Sequence, residues 1–293
     1  GKEGATLMAN ALEIRGLTKR YDGFSLENVS FSIPEGSVMG FIGENGAGKT
    51  TTIRLILDGI RRDAGEIRIF GKDNIQYGQE VRGEIGAVFD ECYFPQDFRP
   101  ADLDAVFRRI YPRWDAELYR SYLERFELPQ RKTVKEYSRG MKMKLSIACA
   151  LSHHPRLLLL DEATSGLDPI VRDEILDIFR GFMEDETHTI LFSSHITSDL
   201  ERLADYVSFL HQGKLLFSLP RDELLDTYGL MQFPEQKLRS IRAQDVIRFR
   251  RGTFGCEALI RDRYTARELY PDFPVQPATL DEIMILYTKG EAL

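Results

Sequence analysis

With 293 residues, of which 43% are hydrophobic and 29% charged, the chain has the makeup of a soluble globular protein with one large or two modest domains. A net charge of −7 argues against general nucleic-acid binding through a basic surface, and no apolar run approaches the ~20 residues of a membrane-spanning helix. Three scattered cysteines, Cys92, Cys149 and Cys256, offer neither a disulfide framework nor metal spacing and point to a reducing, intracellular setting.

In chain order, Gly1 to Ala9 lacks the apolar core of a signal peptide, and Gly1 to Leu7 is expected to be an artificial remnant ahead of a natural start at Met8. Alternation predicts strands over Leu12 to Tyr21 and Phe24 to Ile33, then a turn at Pro34-Glu35-Gly36. The apolar run Val38 to Ile42 predicts a strand, and Thr51 to Leu57 a helix. Further strands are expected at Glu66 to Phe70 and Ile85 to Phe89. Helical spacing follows over Asp104 to Tyr111, Ala116 to Phe126 and, most strongly, Ser138 to Ser152. Leu157 to Leu160 reads as a buried parallel strand. Pro169 suits a helix start, continued through Val171 to Met183. A strand at Thr189 to Ser193, a helix at Thr197 to Ala204 and a hairpin around Gln212-Gly213 complete this part. After Pro220 the pattern changes to one helix, Arg221 to Tyr228, short alternating pieces, and a final helix, Leu280 to Thr288.

Strands alternating with helices imply an α/β sheet with a site at the strands' carboxyl ends. The helical stretch between the strands at Ile85 and Leu157, about 90–152, is expected to be a subdomain inserted in a main domain of 11–219. Residues 220–293 are expected to form a small α+β accessory domain.

Between the strand at Val38 and the helix at Thr51 lies Gly43-Glu44-Asn45-Gly46-Ala47-Gly48-Lys49-Thr50, which fits the phosphate-binding P-loop pattern in the strand–loop–helix setting it requires. Glycines let backbone N–H groups crowd round an anion, and the helix that follows adds the positive end of its dipole. Lys49 supplies a compact charge for the β- and γ-phosphates, and Thr50 a hydroxyl for Mg²⁺. Downstream, four leucines run into Asp161-Glu162. A strand of that kind delivers Asp161 to the Mg²⁺ shell and leaves Glu162 to polarise an attacking water.

Ser138-Arg139-Gly140-Met141, ahead of the strongest helix, offers a second anion site from a hydroxyl and bare backbone N–H groups, although Ser138 is also an ordinary N-cap. Two chains placed head to tail would use both sites. His195, just past a strand, is positioned for the γ-phosphate or the attacking water. Tyr21, at a strand end, either stacks on a nucleotide base or packs on the surface. Tyr93, Phe94 and Phe98 in an irregular stretch are either a docking cleft for a partner's helix or the core of the helical subdomain.

This order of motifs resembles the nucleotide-binding domain of ABC ATPases over roughly Leu12 to Leu219. The resemblance implies a P-loop NTPase fold with a mixed sheet, ATP hydrolysis with Mg²⁺, and a dimer that closes on two nucleotides. It implies ATP contacts from Tyr21, the P-loop residues Gly43, Asn45, Gly46, Ala47, Gly48, Lys49 and Thr50, and Thr51. Ser138, Gly140 and Asp168 would reach the nucleotide across the dimer. Metal contacts are implied for Thr50, Asp90 and Asp161, and catalytic roles for Glu162, His195 and Lys49. A multi-span membrane permease on a separate chain would dock near Asp90 to Phe98, placing the protein in the cytoplasm on the inner face of the cell membrane.

Two departures stand out. The signature reads Ser-Arg-Gly-Met where Ser-Gly-Gly-Gln is commonest, and Asp90 replaces a usual glutamine. Both departures, with the Ala278 to Glu291 stretch, resemble single-domain ATPases of bacterial antibiotic and peptide exporters, nearest those of cytolytic amphipathic peptides. The alternative is a soluble ABC-type ATPase acting on ribosomes, DNA or an assembly pathway. A P-loop kinase or GTPase leaves Ser138 to Met141 and His195 unexplained.

Overall fold

A computed structural model describes residues 9–293; the expectations for Gly1 to Leu7 and a start at Met8 lie outside these described residues. The chain opens with β1 (Asn10–Tyr21), β2 (Phe24–Pro34) and β3 (Val38–Ile42), then α1 (Lys49–Ile56), β4 (Ala64–Ile69), β5 (Lys72–Asp73), α2 (Gly78–Gly83) and β6 (Ile85–Phe89). Helices α3 (Pro100–Ile110), α4 (Ala116–Arg125) and α5 (Arg139–Leu151) come next. The chain then returns to the sheet through β7 (Leu157–Asp161), α6 (Pro169–Phe182), β8 (Thr189–Ser194), α7 (Thr197–Leu203), β9 (Tyr206–His211) and β10 (Lys214–Pro220). It ends with α8 (Arg221–Thr227), β11 (Gly229–Phe233), β12 (Arg248–Gly252), β13 (Gly255–Ile260), α9 (Arg263–Leu269), β14 (Val275–Pro277) and α10 (Leu280–Lys289).

The central sheet has the order β10-β9-β3-β8-β7-β6, parallel except for its edge strand β10. Its inner strands β3, β8 and β7 are buried on both faces, which is why β7 needs four leucines in a row. Leu157 and Leu159 face a core shared with the antiparallel sheet β2-β1-β4-β5 and with α1. Leu158 and Leu160 face a second core, filled by the helices α3 to α7. The order carries functional weight: the neighbours β3, β8, β7 and β6 end at the P-loop, His195, Asp161-Glu162 and Asp90 respectively.

Beyond Pro220 lies a third sheet, β12-β13-β11-β14, antiparallel throughout. It has its own apolar cluster around Met231, Phe249, Ala258 and Ile260. Tyr228, Leu259, Leu280, Ile283 and Leu286 instead belong to the same core as α3 to α7.

Candidate active site

The P-loop begins where β3 ends. Gly48 stands at the N-cap of α1 with φ 114°, a left-handed backbone that disfavours any side chain. A Cβ on Gly43 would lie 2.5 Å from the Leu210 carbonyl oxygen, so the loop passes too close to β9 for anything larger. Together these glycines let the loop wrap a cleft of about 950 Å³, lined among others by Asn45, Gly46, Lys49, Thr50, Asp161 and Glu162.

Lys49 is buried, donates to the Gly43 carbonyl, and lies 3.1 Å from Glu162 Oε1 as an ion pair. The other oxygen, Oε2, accepts from His195 Nδ1 at 2.8 Å, with the His195 backbone N–H at 3.4 Å. Glu162 is held in the left-handed region, φ 55°, which is uncommon for a residue with a side chain. Its N–H donates to the Ser193 carbonyl at 3.0 Å, and the Ser165 N–H closes the following turn onto the Glu162 carbonyl at 3.1 Å.

One residue earlier, Asp161 Oδ2 accepts from Thr50 Oγ1 at 2.9 Å and Oδ1 from Ser193 Oγ at 3.3 Å. Burial pushes the Asp161 carboxyl above its ordinary pKa. The hydroxyl and carboxylate are hard oxygen donors of the kind Mg²⁺ takes. Among the described residues no group of three or more His, Cys, Asp or Glu is arranged to cage a metal.

Asp90 lines the same cleft, as Phe89 is the register partner of Asp161 across β6 and β7. Gly43 and Ala47 are buried behind the loop, and Thr51 lines the cleft on α1. Tyr21 is 45% exposed beneath the Lys19 ammonium and is not in the cleft wall; Gly23 and Phe24 of the same hairpin are. Ser138, Gly140 and Asp168 also stand outside the cleft. In the single chain Ser138 caps α5 by accepting from the Met141 N–H, and Asp168 caps α6.

Arg54, Phe89 and Tyr93 also line the cleft, and no sequence motif marks them for it. Arg54 was visible only as the residue one turn beyond Thr50 on α1. Tyr93, 67% exposed, packs edge-on against Phe89 and is shared with an apolar groove of about 300 Å³ that also takes in Phe94, Phe107 and Tyr111. Phe94 and Phe98 pack against the helical core. The aromatic stretch therefore divides, two rings inward and one outward.

A model of the ABC transporter family matches residues 26–165. The bacitracin transport ATP-binding protein of Bacillus licheniformis is 36% identical over 220 residues, 74% of this chain and 72% of its own length. The lantibiotic transport ATP-binding protein of Streptococcus pyogenes is 33% identical over 214 residues, 72% of this chain and 91% of its own length. A solved ATP-binding subunit of an ABC transporter superposes with a TM-score of 0.67 at 27% identity, covering 74% of this chain and 92% of its own.

Proposed function

The chain belongs to the ABC transporter family of ATP-binding proteins, and from that premise we propose that it is the ATP-hydrolysing motor of an exporter for a peptide, antibiotic or other amphipathic substrate. The observation that carries the reading is the Glu162 carboxylate, held between Lys49 and His195 beside the Asp161–Thr50 pair. That carboxylate accepts a proton from water as the water oxygen attacks the γ-phosphorus. The bond from the γ-phosphorus to the bridging oxygen breaks, and ADP and inorganic phosphate leave. Lys49 and the P-loop N–H groups bind the phosphate oxygens, and His195 keeps Glu162 oriented. Thr50 and Asp161, with Asp90 nearby, would hold Mg²⁺. When bound, that ion neutralises phosphate charge.

Two copies close head to tail on two nucleotides, the Ser138 turn and Asp168 of each reaching the other's P-loop. At α5 the Ser138 cap takes only the Met141 N–H and leaves the Arg139 and Gly140 N–H groups for an anion, whereas at α6 Asp168 itself takes the Ile170 and Val171 N–H groups. A multi-span membrane subunit docks in the groove beside Asp90 to Phe98, where Tyr93 touches both groove and cleft. Among the described residues no helix is long and apolar enough to cross a membrane. On this reading the protein works at the cytoplasmic face of the cell membrane, bound to that subunit. The similarity to ATP-binding proteins of bacitracin and lantibiotic transport supports the choice of substrate class.

The test uses Glu162→Gln protein. ATP hydrolysis should fall to background while ATP still binds. The tagged variant, with ATP, should capture a multi-span membrane protein from detergent-solubilised native membranes. Wild-type turnover in the variant would overturn the assignment of Glu162. Capture of ribosomal or assembly factors in place of a membrane protein would overturn the exporter reading.

A further inference from the structure

We infer that Asp199, a residue of α7 that touches neither phosphate loop nor cleft, is a positioning residue for hydrolysis, acting through Thr164 on the backbone turn that carries Glu162. Asp199 is 0% exposed. Its Oδ2 accepts from Thr164 Oγ1 at 2.7 Å, and Thr164 is itself buried. Its Oδ1 lies 3.1 Å from Arg172 Nε on α6, as an ion pair without hydrogen-bond geometry. One buried carboxylate thus joins three segments. Thr164 belongs to the turn that begins at Glu162, Arg172 begins its helical hydrogen bond on the Asp168 carbonyl at 2.9 Å, and Asp199 follows His195 by one turn of chain.

The physical consequence lies in the Glu162 backbone. A glutamate at φ 55° stays there only if its surroundings hold it. On one side the Ser193 carbonyl holds the Glu162 N–H; on the other, the turn closes through the Ser165 N–H. Inside that turn the Thr164 hydroxyl is a side-chain tether, and it ends on Asp199. A hydroxyl-to-carboxylate bond out of solvent is a strong, directional one. Loss of the tether frees the turn, and the Glu162 carboxylate then drifts relative to His195 and the phosphate cleft. Since Asp199 also draws in Arg172, a shift at the start of α6 changes the carboxylate that anchors Thr164.

This inference rests on Glu162 being the base, and the experiment separates the two. Steady-state ATPase and ATP affinity are measured for wild type, Glu162→Gln, Asp199→Asn, Thr164→Val and Thr164→Ser. Thr164→Val, which keeps the shape and removes the hydroxyl, should lower kcat roughly tenfold or more with ATP affinity within about twofold. Thr164→Ser should restore most of that rate. Asp199→Asn should match Thr164→Val or fall below it. If Asp199→Asn does not fold, the two threonine variants carry the test. Wild-type kcat in folded Thr164→Val overturns the inference. So does a Thr164→Ser no better than Thr164→Val, since rate would then follow packing and not the hydroxyl. An active Glu162→Gln would overturn the base assignment instead.

Discussion

Lys49 serves two masters in this site, and the competition between them has a measurable sign. Its ammonium donates to the Gly43 carbonyl and pairs with Glu162 at 3.1 Å, with both side chains largely shielded from water. Phosphate oxygens entering the cleft compete with that carboxylate for the same charge, and the carboxylate also repels them. Glu162→Gln removes the competitor and the repulsion together. ATP should therefore bind the variant tighter than wild type, by a few-fold to about tenfold. Lys49→Ala should weaken ATP by roughly tenfold or more, the loss expected for a charge-assisted contact. Isothermal titration with both variants measures the pair. Weaker binding in Glu162→Gln would mean that the carboxylate does not oppose the nucleotide.

At the scale of elements, α5 links a proposed dimer contact at one end to a buried histidine beyond the other. His153 stacks on Tyr111, with centroids 4.0 Å apart and planes at 12°, and its Nε2 lies 2.7 Å from the Ile85 carbonyl oxygen. Its Nδ1 is buried without a partner, and burial holds the imidazole below its ordinary pKa. A depressed folded-state pKa gives stability that is complete above the unfolded value, about 6.5, and is lost as pH falls toward the folded value. The urea midpoint should accordingly drop as pH falls below ~6.5, and His153→Gln should flatten that slope even if it lowers the midpoint itself. The exposed neighbour, His154, bonded to Asp115, is the control. Equal slopes in wild type and His153→Gln would remove His153 as the cause. Elements whose signal is local were legible in the sequence. Four leucines announce β7, and the spacing of Met141, Leu145 and Ala148 announces α5. The glycines and Lys49 announce the loop between β3 and α1. What depends on long-range pairing was not. The neighbours of β3 are β8 and β9, supplied about 150 residues later, and no local pattern says so. The small strands β11 to β14 were legible only as short alternating pieces without bounds; in β12, for instance, Phe249 alone of Arg248-Phe249-Arg250-Arg251 is deeply buried. The Asp199–Thr164 link joins two residues that are unremarkable in their own segments, so it too emerges only from the fold.

For the whole molecule, the question is whether the last seventy residues fold as a separate unit or with the rest. The final sheet has its own cluster, which favours separation. The attachment of α10 favours the opposite. Asp281 Oδ1 accepts from Thr197 Oγ1 at 2.7 Å, the Leu280 N–H donates to Glu201 at 3.3 Å, and the Tyr287 ring packs against Phe209 and Phe217 of the central sheet. Leu280, Ile283 and Leu286 are fully buried, and they belong to the core that also fills the spaces between α3 and α6. Cooperativity follows contiguous burial rather than sequence order. Leu286→Ala opens a cavity in that shared core and should cost about 2–5 kcal/mol. The sole tryptophan, Trp114, lies in the helical region against the same core and reports on it from far along the chain. In urea, Leu286→Ala should shift the Trp114 fluorescence transition and the far-ultraviolet circular dichroism transition to lower urea together. An unmoved tryptophan transition beside a shifted dichroism transition would show that the tail unfolds alone. A joint shift would mean that α10 is a structural part of the ATPase core, pressed against the helix that follows His195, so that events in the tail are felt one helix away from the hydrolytic site.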